Sequence, residues 1–100
     1  MKPTKYSPEI SAVLCAAISR GVPITTACAA CGIGESTFHA WVERHPAFAD
    51  AVRKSAGEAE SGLLDIIYRA AQTTWQAAAW LLERHPRYRE RWAKPREDRQ

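Results

Sequence analysis

Four residues of the types that bind zinc lie close together in CAACGIGESTFHAWVERHP, residues 28–46: Cys28, Cys31, His39 and His45. A zinc finger with two cysteines and two histidines needs about a dozen residues between its pairs, so that a knuckle and a helix can bring four ligands to one tetrahedral point. Here only seven residues separate Cys31 from His39. The expected helices put Cys28 inside one of them, and His39 and His45 on the next one and at its broken end. No metal is expected, and no cofactor. Thiol catalysis fares no better, because no acid, base and nucleophile set accompanies the cysteines. There is no glycine loop ahead of a GK[ST] to cradle phosphate, no paired carboxylate constellation, and too little chain for a sequestered cleft. The expectation is a protein that is not an enzyme.

The same letters read differently as small residues, a glycine and two aromatics at fixed spacing. Cysteine is among the most often buried residue types and packs as a small hydrophobe. Cys28, four residues before Gly32, is small where a crossing helix needs room, and Cys31, Ile33, Phe38 and Trp41 supply the apolar contacts that fix the angle between two helices. That pattern is a helix-turn-helix.

The elements that would position it follow from local signals. Ser7-Pro8-Glu9 gives a cap residue, a first-turn proline and a first-turn acid ahead of Ile10, Val13, Leu14, Ala17 and Ile18, whose spacing is helical. A first helix is expected from about Pro8 to Arg20, stopped by Gly21 with Pro23 beyond. A second runs from about Thr25 to Cys31 and ends at Gly32, which can take the left-handed conformation of a sharp turn. A third covers about Glu35 to Arg44 and stops before Pro46. From Ala47 to Gln72 the chain reads as one long helix, with Ala56, Ala59, Leu63, Ile66 and Ala70 stepping by three and four as in a packing seam. Gly57 and Gly62 would weaken it by roughly 1 kcal/mol each relative to alanine, which points to close backbone approach or fraying. Thr73 with Gln76 has capping-box spacing and opens a last helix from Thr74 to about Arg84, antiparallel to the long one. The fold class expected is all-α, in three parts: a helix-turn-helix domain over 1–46, a helical oligomerisation hairpin over 47–93 and a charged, disordered tail over 94–100. ERHPAF at 43–48 echoes ERHPRY at 83–88. With no wider periodicity, the echo reads as two helices stopped alike by His-Pro with an aromatic packing back.

One hundred residues is the size of one domain, or of a small domain plus an oligomerisation element, and a chain this short buries only about two thirds of its surface alone. Self-association is the natural remedy. No apolar run of a secretory signal opens the chain, and nothing approaches the roughly 20 apolar residues that span a bilayer, so no membrane partner is expected. Three cysteines without disulfide-scaffold spacing fit a reducing, intracellular setting. The net charge of +3 is unevenly spread. Within residues 1–50, Lys2, Lys5, Arg20 and Arg44 balance Glu9, Glu35, Glu43 and Asp50. Within 84–99, seven basic residues face Glu90, Glu97 and Asp98, leaving +4.

The segment KYSPEISAVLCAAISRGVPITTACAACGIGESTFHAWVERHPAFADAV resembles the N-terminal helix-turn-helix domain of phage terminase small subunits and related phage DNA-binding proteins. AAAWLLERHPRYRERW is similar to the ending often found after such domains, and together the two cover roughly residues 4–93. The resemblance implies that the third helix is the recognition helix, meeting double-stranded DNA through Ser36, Thr37, His39, Ala40 and Arg44, with Lys2 and Lys5 as a preceding arm. It also implies a homo-oligomer, with a ring as the expected form, that presents its DNA-binding domains outward. Such a ring passes viral DNA to a terminase large subunit that holds the motor and nuclease. Leu63, Leu64, Ile66, Ile67, Trp75 and Trp80 are the interface candidates. The setting implied is the cytoplasm of a bacterial host, with the gene carried by a virus or prophage. The alternatives are a dimeric helix-turn-helix regulator or recombinase-type DNA-binding protein, and a protein-interaction module that has lost DNA binding. A neutral half-chain releases few counterions, so one copy should hold DNA weakly. Linking several copies can raise avidity by about 10² to 10⁴.

Overall fold

A computed structural model describes residues 5–93, and these form six α-helices with no strand among them. The protein is all-α. Lys2 and the 94–100 tail lie outside the described residues. The helices are α1 (Pro8–Ser19), α2 (Ile24–Cys31), α3 (Glu35–Arg44), α4 (Pro46–Ala71), α5 (Trp75–Arg84) and α6 (Arg89–Trp92). The chain divides into two compact units, Met1–Ser61 and Gly62–Gln100, with α4 running through the division.

In the first unit, the signals at α1 act as the sequence suggests. Ser7 Oγ accepts the Ile10 N–H at 3.2 Å, and Pro8 occupies the first turn, where a missing N–H costs nothing. Both α1 and α2 end in the same way. Gly21 (φ +92°) and Gly32 (φ +74°) take the left-handed conformation. The following N–H groups, of Val22 and Ile33, then return to the Ala17 and Cys28 carbonyls at 3.1 and 3.0 Å. Each such end satisfies carbonyls that the helix leaves without partners. After Gly32, only Ile33 and Gly34 separate α2 from α3.

The core of this unit is Leu14, Ile18, Ala27, Cys28, Phe38, Trp41 and Phe48, flanked by half-buried Tyr6, Ile10, Cys15, Val22, Cys31, Ile33 and Val52. Phe48 and Val52 belong to α4, so the first turns of that helix complete the packing of α1–α3. A division after residue 46 would cut Phe48 away from the core it fills; the compact unit extends to Ser61 instead. Phe48 is 1% exposed and meets Phe38 and Trp41 edge-on, with centroid separations of 5.4 and 6.3 Å. Tyr6 closes the cluster edge-on to Trp41 and Phe48, at 5.4 and 5.6 Å.

The second unit is thinner. Leu81 is the one buried hydrophobic residue among its described residues, and α5 packs on α6. The expected capping box is absent. Thr74 holds the N-cap position of α5 without a side-chain bond, while Thr73 Oγ1 donates back to the Ala70 carbonyl at 3.4 Å, closing α4 rather than opening α5. Gly57 and Gly62 face open space, so no close backbone approach accounts for them.

Two stability measurements follow. Gly32→Ala adds a Cβ that meets no atom within 4 Å, so its cost is the left-handed backbone alone. It should amount to about 1–2 kcal/mol, a melting temperature lowered by several degrees. Gly34→Ala, at φ −86°, should be close to neutral in the same thermal melt. Phe48→Ala should cost about 3–5 kcal/mol by chemical denaturation if α4 closes the core; a loss below 1 kcal/mol would refute that role.

Candidate functional site

Helix α3 is two-faced. Phe38 and Trp41 are buried, Thr37, Ala40 and Val42 half-buried, and Glu35, Ser36, His39, Glu43 and Arg44 exposed. The outward set therefore includes Ser36, His39 and Arg44 from the sequence candidates, with Thr37 and Ala40 at the margin of the buried face. Lys5 is exposed in the segment before α1. His39 meets Phe38 edge-on at 5.6 Å, which leaves its ring on the outer side of the helix.

The first turn of α3 begins at Gly34, which has no side chain to cap it; the Phe38 N–H is the first to bond within the helix, to the Gly34 carbonyl. The N–H groups of Glu35, Ser36 and Thr37 are thus left for an outside acceptor. Helix α2 repeats the arrangement: Pro23 is its N-cap, no side chain bonds there, and Thr25 and Thr26 are exposed in the first turn. Helix N-termini carry partial positive charge and favour anionic oxygens. Thr25 and Thr26 were not among the sequence candidates; the Pro-Ile-Thr-Thr order was their available signal. Against them stand Glu35 and Glu43, which outnumber Arg44 on α3.

The cysteines take structural positions. Cys28 is 1% exposed beneath the turn, and burial pushes its thiol pKa up, with the Glu35 carboxylate and Cys31 adding to the rise. A thiol held neutral is a poor nucleophile and a poor metal ligand. His45 is not aimed at the sulfurs: its ring stacks on Tyr6 with centroids 3.9 Å apart and planes 8° from parallel. Among the described residues, no group of three or more His, Cys, Asp or Glu side chains gathers to hold a metal.

The interface candidates fall on more than one face. Leu63 and Ile66 are 60% and 62% exposed, while Leu64 and Ile67 are half-buried. Trp75 and Trp80 are 74% and 47% exposed. Among the described residues, no helix is long and apolar enough to cross a membrane.

The raised Cys28 pKa has a testable sign. The folded state holds the proton more tightly than the unfolded chain, so stability should fall as pH rises above the ordinary thiol range. Cys28→Ser should flatten that alkaline decline in urea titrations. In native protein, iodoacetamide should label Cys15 and Cys31, both partly exposed, before Cys28; peptide mass mapping that finds Cys28 modified first would contradict the buried, neutral thiol.

In comparisons with known proteins, no family model matches the chain, and neither a curated protein nor a solved structure matches it.

Proposed function

We propose that the protein is a non-catalytic DNA-binding subunit in which α2 and α3 act as a helix-turn-helix. The observation that carries this reading is the division of α3: Phe38 and Trp41 fix it from behind while Ser36, His39 and Arg44 face outward beside two open helix N-termini. A major groove admits one helix, and side chains of these types reach base edges and phosphates from it. Thr25, Thr26 and the first-turn amides of α2 would hold the backbone, and Lys5 with Lys2 would add phosphate contacts. The resemblance to phage terminase small subunits supplies the finer role: binding viral DNA, assembling as a ring, and delivering DNA to a terminase large subunit in the cytoplasm of a bacterial host.

The thin second unit supports assembly. Among its described residues, one buried leucine is a small core, while Leu63, Ile66, Trp75 and Trp80 remain exposed. Small units of this kind are usually completed by association. The charge of α3 favours one competing reading, a protein-interaction module on the same fold, since Glu35 and Glu43 oppose phosphate. A dimeric regulator would differ in its site, with two half-sites about one DNA turn apart.

Fluorescence anisotropy on duplex DNA at low and high salt tests the α3 assignment. Arg44→Ala should weaken binding and lower the log–log salt slope by about 0.9, and His39→Ala should weaken it without that change in slope. Duplex binding insensitive to both substitutions would remove α3 from the interface. Light scattering should give a mass several times that of one chain at micromolar concentration, reduced by Leu63→Glu with Ile66→Glu; a monomeric wild type would end the ring proposal.

A further inference from the structure

The ERHP echo has two different surroundings. At both copies the helix stops on the histidine, and its backbone N–H donates to the carbonyl four residues back, His45 to Trp41 and His85 to Leu81, each at 2.8 Å. At the first copy, Tyr6 lies flat on His45 and Phe48 turns into the core. At the second, the only aromatic neighbour of His85 among the described residues is Tyr88. The Tyr88 ring is tilted by 45° with its centroid 5.4 Å away, and it is itself half-buried. The His85 ring is nevertheless held in place, because its Nδ1 accepts the Arg87 N–H at 3.1 Å. The second corner therefore repeats the fixed imidazole of the first without a ring lying parallel on it.

Its charge is also different. Arg84, Arg87, Arg89 and Arg91 are all exposed around it, and none forms an ion pair among the described residues, although Glu83 and Glu90 are near in sequence. The Arg87 guanidinium stands over the Tyr88 ring at 5.9 Å, and Trp92, 54% exposed, ends α6. Guanidinium groups interleaved with exposed ring faces are the means by which proteins hold single-stranded nucleic acid, the cations following phosphates while bases stack. A duplex keeps its base faces covered, so the exposed Trp92 ring, with His85 and Tyr88 half-buried, favours an unpaired strand. A second copy of this corner would meet it with like charge.

We propose that the α5–α6 corner binds single-stranded nucleic acid, with an unpaired base stacked at His85 and Trp92 and phosphates held by Arg84, Arg87 and Arg91. This site is built from other residues than those of α3 and does not depend on the duplex reading above.

The test uses the full chain with fluorescein-labelled oligo(dT), a labelled duplex and phosphatidylserine vesicles. His85→Asn keeps an acceptor for the Arg87 N–H and removes the ring; Trp92→Ala alters an exposed residue and keeps the test valid if the corner variant loses helicity by circular dichroism. Each should weaken oligo(dT) binding about tenfold and leave duplex binding unchanged. Arg87→Ala combined with Arg91→Ala should lower the oligo(dT) salt slope by about 1.4. His39→Ala and Arg44→Ala should leave oligo(dT) affinity as it is, so a failure of the α3 reading would show in the duplex arm alone. Oligo(dT) affinity unmoved by Trp92→Ala and His85→Asn, its loss in His39→Ala, or binding to the vesicles without binding to oligo(dT) would each overturn the proposal.

Discussion

The clamp on α3 is the interaction on which the first unit depends. Phe38 and Trp41 point inward from α3, and the chain then breaks at His45-Pro46 and returns Phe48 against both of them. Three aromatic side chains bury large areas at few rotatable bonds, and their edge-to-face contacts add to the area term. Tyr6, from the segment before α1, covers the same cluster and stacks on His45. Helix α3 is thus held from the front of the chain, from α2 through the Gly32 turn, and from α4. Its outer face carries none of this burden. Ser36, His39 and Arg44 can serve a partner without taking part in the fold, which is the condition for a recognition surface.

The cysteines belong to the same clamp. Cys28 lies under the turn, its carbonyl receives the Ile33 N–H, and its side chain joins the same buried cluster as Leu14 and Phe38. A larger side chain there would push α3 outward, and a charged one would be buried without a partner. The raised thiol pKa is a consequence of that placement. It removes the reactivity that the Cys-x-x-Cys spacing suggests and leaves the small volume, which is what the crossing of α2 and α3 requires.

Local signals in the sequence located most helix ends, because caps, prolines and glycines act within a few residues. The limits of α3 agree with Glu35 to Arg44, and α1 and α2 agree to within one residue. What escaped is non-local or weakly patterned. The Tyr6–His45 stack joins residues far apart in sequence, and no spacing rule connects them. The pattern of α4 is continuous and does not mark which of its turns serve the α1–α3 core, so periodicity alone assigns Phe48 to a separate helical part. Helix α6 has four residues, too few for any apolar period. At α5, Thr73 and Gln76 have the right types for a capping box, but the Thr73 hydroxyl finds the Ala70 carbonyl one turn earlier. Side-chain oxygens near a helix end choose between neighbouring backbone groups, and type and spacing do not decide that choice. Of the candidate site, the outward positions of Ser36, His39 and Arg44 are legible from the periodicity of α3, whereas Thr37 and Ala40, expected outward as well, are half-buried. The open first turn of α2 was hidden, since an uncapped helix start is defined by what is absent.

The two units divide burial and charge unequally, and the proposed roles follow from that inequality. The first has a closed aromatic core and a helix, α3, on which acids outnumber the single arginine; the second has, among its described residues, one buried leucine, exposed tryptophans and the arginines of the α5–α6 corner. If α3 reads duplex DNA, its own electrostatics give it little affinity, so occupancy must come from elsewhere. Association through the second unit supplies it by linking several α3 helices on one particle, each later contact becoming intramolecular. The arginines of the proposed α5–α6 corner would act differently, adding counterion release only where an unpaired strand is present to occupy that corner. The two sources respond differently to salt. Avidity multiplies whatever slope a single α3 contact has, whereas a separate cationic site contributes a slope of its own that persists when α3 is disabled. A residual salt-dependent duplex affinity in an α3-disabled chain would have to come from Lys5, from the first turn of α2 or from the second unit, and its absence would leave the linking of α3 helices as the source of strength.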